Sequence, residues 1–370
     1  MKYYIIAGEA SGDLHGSNLT KELRKLDASA QIRAWGGDLM QAAGADIVKH
    51  YRDLAFMGFI EVVRNLPTIM RNLRWCKQDI QSFQPDVLVL VDYPGFNLRI
   101  AKWAREQGLR IVYYISPQVW AWKEGRVRSI RKVVDKMLVI LPFEKEFYRK
   151  WEYDVVYVGH PLLQVVQDYL TANPPPPPSP VPVIALLPGS RRQEVTIKLP
   201  IMLEATRSFP NYRFVVAKAS SLEDEFYAPL LQGYSNVETV RNETYALLSR
   251  SSAALVTSGT ATLETALFGV PEVVCYKGSS ASYQIAKRLI KIKYISLVNL
   301  IMDKLVVTEL IQHELTAANI RTELDKLLHD EEKKKQVAED YRRLKQVLQQ
   351  EHSASARAAQ EIIGLLQASA

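Results

Sequence analysis

Residues 86–115 read DVLVLVDYPGFNLRIAKWAREQGLRIVYYI. The run DVLVLV at 86–91 is apolar, rich in β-branched residues and enclosed by Pro85 and Pro94. It is too short for a helix and too continuous for a strand with one wet face. It therefore reads as a strand buried on both sides, the mark of a parallel sheet. Residues 98–107 carry helical spacing, and RIVYYI at 110–115 is another strand of the same kind. Working outward, the runs at 2–7, 136–141 and 154–158 repeat the pattern. Strands and helices alternating in this way predict a doubly wound α/β sheet.

At 171–182 the sequence changes to TANPPPPPSPVP, with five consecutive prolines at 174–178. Proline fixes φ and donates no backbone hydrogen bond, so an extended spacer is expected, with a ligand for a proline-binding module as the other reading. Beyond it a second series of strands is predicted at 183–187, 213–217, 253–256 and 272–276. From about residue 317 the chain is helical and highly charged, which reads as a solvated helix face. Two α/β domains are thus expected, 1–170 and 183–345, joined by a linker at 171–182. Such a pair places a ligand in a cleft outside the carboxyl ends of the strands.

Composition narrows the class. The chain has 370 residues, 48% of them apolar and 24% charged, enough to build a sizeable core. It has two cysteines, Cys76 and Cys275, so a reducing compartment is expected rather than a disulfide framework. No apolar run approaches the ~20 residues of a membrane span, and the N-terminus does not read as a signal peptide. The net charge of +7 favours anionic partners, but the basic residues are dispersed, so no nucleic-acid partner is expected.

Four turns at strand ends carry candidate chemistry. In LLPGSR (186–191) a strand runs into Gly189 and Ser190, and Arg191 can grip a phosphate with two parallel hydrogen bonds. The same residues also read as a plain turn with surface arginines. In TSGTATLE (257–264), Ser258, Gly259 and Thr260 precede a helix whose first N–H groups would favour an anion, and Glu264 suits ribose hydroxyls. An ordinary helix with a Ser or Thr cap is the alternative. In VDYPGFN (91–97), Asp92 ends a buried strand, the place for a general base or for a turn-forming carboxylate. In GEASGD (8–13), the glycines at 8, 12 and 16 do not make a dinucleotide fingerprint; a tight turn is expected, with His15 behind it as a phosphate contact or a plain helix residue.

The sequence has no short-spaced histidine pair, no Asp-x-Asp, no C-x-x-C and no Walker A motif. No metal or other cofactor is expected, so a nucleotide leaving group would be stabilised by Arg191 and backbone N–H groups. Residues 56–73 read FMGFIEVVRNLPTIMRNL, with Phe56, Phe59, Ile60, Val63, Met70 and Leu73 at helical spacing and arginines opposite. This segment suits either the protein core or a membrane surface.

Taken in order, GEASGD (8–13), DYPGFN (92–97), SPQVWAW (116–122), LPFE (141–144), VGHPL (158–162), LLPGSR (186–191), SGTATLE (258–264) and SLVNLI (296–301) resemble the lipid-A-disaccharide synthase family over nearly the whole chain. The resemblance implies a GT-B fold, two Rossmann-like domains with the donor nucleotide held by the second, and a helix at 346–370 crossing back onto the first. It implies an inverting transfer from UDP-2,3-diacylglucosamine to 2,3-diacylglucosamine 1-phosphate (lipid X). It implies Asp92 as base, Ser190, Arg191, Ser258, Gly259, Thr260, Glu264 and Asn299 on the donor side, and Glu9, Ser11, Gly12 and Asp13 lining the cleft. The substrates imply peripheral binding at an anionic membrane on its cytoplasmic face, with Phe56, Phe59, Ile60, Val63 and Met70 toward the acyl chains; a homodimer is compatible with the charged C-terminal helix. Another UDP-N-acetylglucosamine-using GT-B enzyme, whether transferase or 2-epimerase, and a non-catalytic membrane adaptor are the competing readings.

Overall fold

The computed structural model describes residues 1–54, 66–177, 179–278, 283 and 292–368. They form two compact units, one of residues 1–161 with 350–370 and one of residues 162–349. The first runs β1 (Lys2–Ala7), α1 (Ala10–Leu26), β2 (Gln31–Gly36), α2 (Asp38–Ala42), β3 (Asp46–His50), α3 (Leu66–Phe83), β4 (Val87–Val91), α4 (Pro94–Glu106), β5 (Ile111–Tyr114), α5 (Val127–Val133), β6 (Lys136–Val139), α6 (Glu144–Arg149) and β7 (Val156–Tyr157). Its seven strands lie in the order β3-β2-β1-β4-β5-β6-β7, all pairs parallel.

The second unit opens with α7 (Pro161–Ala172) and continues β8 (Val183–Leu187), α8 (Arg192–Thr206), β9 (Arg213–Lys218), α9 (Asp224–Leu231), β10 (Val237–Arg241), α10 (Thr244–Leu248), β11 (Ser251–Thr257), α11 (Thr260–Leu267), β12 (Glu272–Tyr276), α12 (Leu297–Met302), β13 (Thr308–Ile311), α13 (Ala317–His329) and α14 (Glu331–Leu348). Its six strands are also parallel, ordered β10-β9-β8-β11-β12-β13. The last described helix, α15 (Ala354–Gln367), belongs to the first unit.

Strand alternation builds two cores in the first unit. Tyr3, Ile5, Val87 and Val89 face Leu19 and Leu23 of α1 and Ala358, Ile362 and Leu366 of α15. Tyr4, Ile6, Leu88 and Leu90 face Cys76 and Ile80 of α3 and Ile100 and Ala104 of α4. The sheet is thus covered on both faces, which is why β4 and β5 are apolar at every position and β1 at every position after Lys2.

The expected boundaries move. The division falls between 161 and 162 rather than after 170, because Tyr169 of α7 packs against Tyr245 and Phe268 of the second unit, at centroid distances of 5.3 and 5.8 Å. The segment 171–182 therefore lies within the second unit; its described residues after Ala172 and before β8 are irregular and largely exposed, and Pro178 lies outside the described residues. The helix expected at 346–370 is two helices, α14 ending in the second unit at Leu348 and α15 in the first.

Phe56, Phe59, Ile60 and Val63 lie outside the described residues. Met70, on α3, is 57% exposed, whereas Leu73, Cys76 and Ile80 form the buried face of that helix. Met70 thus lies at the exposed margin of the apolar stripe rather than in its buried centre with Leu73.

Candidate active site

The carboxyl edge of the first sheet gathers five of the sequence motifs. Asp92 follows β4 directly and has φ 45°, and Tyr93 has φ 49°. The Asp92 N–H donates to the Tyr114 carbonyl at 3.0 Å. Its own carbonyl accepts from the Tyr113 hydroxyl at 2.6 Å and from Asn97 Nδ2 at 2.8 Å. Asn97 is fully buried, and Nδ2 also reaches the Val91 and Ile6 carbonyls at 3.3 and 3.4 Å, so it ties the ends of β4 and β1 together. The backbone of Asp92 is held at three points, which leaves its carboxyl as the variable part. Burial, then the Glu9 carboxylate, push that carboxyl up to about 6, with the Tyr93 N–H opposing them. Gly8 passes beneath the Tyr93 ring, where a Cβ would lie 2.3 Å from a ring carbon.

The GEASGD residues divide. Glu9 is part-exposed just before α1 and caps nothing with its side chain, and Ser11 is exposed. Gly12 and Asp13 are buried, so they do not line a cleft as expected. Gly12 lies against Ala7, where a Cβ would come within 3.2 Å of the alanine Cβ. Asp13 accepts from the N–H groups of Gly37, Leu39 and Met40 at 2.7, 3.1 and 3.1 Å. Its carboxylate is consumed by the start of α2, where a negative charge is favoured. His15 is buried and lowered by desolvation to about 4, and desolvation together with His15 lowers His160 to about 3. Both imidazoles are thus held neutral near pH 7 by burial, and His15 Nδ1 has no hydrogen-bond partner.

Two further motifs meet at Glu144. Its buried carboxyl accepts from Ser116 Oγ at 2.5 Å, Trp120 Nε1 at 3.2 Å and the N–H groups of Ile140 and Leu141 at 3.2 and 2.9 Å. Desolvation raises it to about 7 against those four donors. Glu144 thereby fixes the loops that follow β5 and β6.

The second unit contains a cavity of about 550 Å³ at the carboxyl ends of β8, β9 and β11. Ser190, Arg191, Ser258, Gly259, Thr260 and Glu264 all line it, as do Lys218, Asn242 and Thr244. The two helix starts differ. At α8, the Glu194 carboxylate accepts from the N–H groups of Ser190 and Arg191 at 3.2 and 3.3 Å and lies 4.0 Å from the exposed Arg191 guanidinium. At α11 no side chain caps the helix, because Gly259 with φ 130° occupies the capping position. Gly259, Thr260 and Ala261 at this start line the cavity, and the Thr262 N–H turns back to the Gly259 carbonyl at 3.2 Å. Glu264 accepts from the Tyr245 hydroxyl at 2.7 Å and is raised by burial, which that hydrogen bond opposes.

This arrangement belongs to a known family. The model of the lipid-A-disaccharide synthetases matches residues 3–363. The chain belongs to the lipid-A-disaccharide synthetase family. A lipid-A-disaccharide synthase of Trichlorobacter lovleyi is 40% identical over 337 residues, covering 89% of this chain and 88% of the relative. One from Geobacter metallireducens is 41% identical over 336 residues, covering 88% and 87%. Among solved structures, a UDP-GlcNAc 2-epimerase from Neisseria meningitidis bound to UDP-GlcNAc superposes with a TM-score of 0.67 at 14% identity, each chain covered fully. A glycosyltransferase of kitacinnamycin gives 0.69 at 13% identity, with 99% of each chain covered. These likenesses show the fold, that of GT-B glycosyltransferases and epimerases.

Within this synthetase-family fold Asn299 does not join the cavity. It is fully buried; Nδ2 donates to the Val307 carbonyl at 2.8 Å and Glu309 Oε1 at 2.9 Å, and Oδ1 accepts from the N–H groups of Val306 and Val307 at 2.8 and 3.0 Å. The expected donor contact is corrected, because no hydrogen-bonding capacity of the amide is left for a ligand. Sequence reasoning missed Asn97, Tyr245, Glu144 and Lys198. Lys198 is 2% exposed on α8, and its ammonium donates to Thr257 Oγ1. The signal was available: a lysine on the apolar stripe of Val195, Leu199 and Met202.

Proposed function

We propose that the chain transfers 2,3-diacylglucosamine from UDP to the 6-hydroxyl of lipid X, giving a β-1,6-linked disaccharide 1-phosphate and UDP. The cavity at the carboxyl edge of the second sheet carries this reading, because an exposed arginine, an uncapped helix start and a carboxylate held by a tyrosine are grouped there. Arg191 and the N–H groups at Thr260 and Ala261 meet the diphosphate, with Ser190 and Ser258 beside them, and Glu264 accepts from the ribose. Asp92 takes the proton of the acceptor hydroxyl as its oxygen bonds to the anomeric carbon. The bond from that carbon to the diphosphate oxygen breaks on the opposite side, and the centre inverts. The charge that develops on the leaving UDP falls to Arg191 and backbone donors, so turnover needs no divalent cation.

The acyl chains of both substrates call for a membrane surface. The net charge of +7 and the exposed Met70 and Trp75 on α3 support peripheral attachment to anionic lipid on the cytoplasmic face. Among the described residues no helix is long and apolar enough to cross a membrane.

The test is UDP release from UDP-2,3-diacylglucosamine in detergent and EDTA, with and without lipid X. Lipid X-dependent release with a product of disaccharide mass is expected. Release without lipid X would replace the reading with a hydrolase or an epimerase-like enzyme, and no release would point to an adaptor.

A further inference from the structure

The buried stripe of α8 runs through Val195, Leu199, Met202 and Leu203, and Lys198 stands within it. An ammonium taken out of water is costly unless a counter-charge or good hydrogen bonds offset it. Among the described residues no carboxylate lies within ion-pair distance of its Nζ, and its hydrogen bond goes to Oγ1 of Thr257. Thr257 is the last residue of β11 and lines the cavity immediately before Ser258, Gly259 and Thr260. A charge has thus been buried beneath the place where the nucleotide's phosphates are expected, with no carboxylate bound to neutralise it.

The hydrogen-bond chemistry has one direction. An ammonium only donates, so Thr257 Oγ1 accepts from Lys198, and the single proton of the threonine hydroxyl is left for another acceptor. We propose that Lys198 is a positioning residue of the nucleotide site: it holds Thr257 Oγ1 as an acceptor, turns the Thr257 hydroxyl proton to a diphosphate oxygen, and supplies a buried positive charge beneath that diphosphate while Arg191 meets it from the exposed side. The inference rests on the UDP reading of the cavity.

A neutral amine both donates and accepts, so on discharge Lys198 no longer fixes Thr257 Oγ1 as an acceptor and competes with the ligand for the hydroxyl proton. Desolvation lowers the Lys198 pKa; Glu194 and Cys275 favour its charge, and Arg191 opposes it. Those groups and Thr257 are the ones that face it from α8, β11 and β12. Cys275 is itself pushed up to about 12 by burial, so near neutral pH it stays a thiol and Glu194 is the charged group that favours the ammonium.

The experiment is calorimetric titration of UDP into the full chain, into Lys198→Met, into Thr257→Val and into the double variant, repeated from neutral to mildly alkaline pH, with melting of each ligand-free protein. Lys198→Met is expected to bind UDP about tenfold or more weakly, the range for a lost hydrogen bond and charge at an anion. It is expected to melt no lower than the parent, because it removes a buried charge. The parent's advantage should shrink as pH rises, and Lys198→Met should have little further effect once Thr257 is valine. Equal UDP affinity in parent and Lys198→Met overturns the proposal. So does weaker binding that comes with a lower melting temperature and a gap independent of pH, the signature of packing. If the unmutated chain itself binds no UDP, the nucleotide reading falls and takes this inference with it.

Discussion

Asp92 occupies a backbone conformation that few residues tolerate. Asp and Asn enter the left-handed region more readily than most side chains, so Asp92→Asn keeps the turn while removing the base. Turnover is expected to fall by a factor of about a hundred to ten thousand, the usual contribution of a general base. Stability moves the other way. A carboxyl raised to about 6 when folded destabilises the fold fully above that pH and not at all below its ordinary value of 3.8. Asp92→Asn should therefore be more stable at pH 7 by about 2 kcal/mol, discounted for partial exposure, and the gain should vanish below about pH 4 in denaturant melts. As the proposed base, Asp92 acts as the carboxylate, so kcat/KM of the parent should rise with pH through about 6. Glu9→Gln removes the neighbouring negative charge and should move that rise to lower pH; a profile that does not move would separate Glu9 from Asp92.

At the scale of elements, what the sequence disclosed followed burial. The central strands β1, β4, β5, β8 and β11 are apolar because helices cover both faces, and each was legible as a continuous run. The outer strands β2, β3, β10 and β13 were not, because Arg33, Lys49, Glu238 and Glu309 interrupt them, as exposed edges and second-layer hydrogen bonds permit. The same physics separates the site residues. Asp92, Arg191 and Glu264 were legible as candidates from their place after a strand, whereas Lys198 and Glu144 lie within the core, where sequence alone cannot show what they touch. Asn299 is the reverse case, a residue prominent in its motif whose work is to join the start of α12 to β13. Asn299→Ala strands the Val307 N–H, whereas the Val306 N–H keeps the Lys304 carbonyl, and should destabilise the second unit by about 2 kcal/mol while leaving UDP affinity unchanged in the fraction that folds. A loss of UDP binding without a loss of stability would restore it to the donor site.

Across the whole molecule, charge and topology each make a prediction. A chain of net charge +7 that meets acylated substrates should sediment with anionic vesicles at low salt and release as salt rises; binding to neutral vesicles alone would exclude the electrostatic part. The return of residues 350–370 to the first unit has a larger effect. Ala354, Ala358, Ala359, Ile362 and Leu366 complete a core whose other side is β1, β4 and α1. Ending the chain after Gln349 should cost the first unit about 5 kcal/mol or more. Hydrogen exchange should then speed up in α1 while the second sheet stays protected. The same closure sets an order of events at the ribosome. Residues 162–349 must be synthesised between the two parts of the first unit, roughly 10–40 s at translation speeds of about 5–20 residues per second. Throughout that interval one greasy face of the nascent first sheet is covered only in part, by α1 and α2, and the growing chain is a client for whatever holdase waits at the exit tunnel.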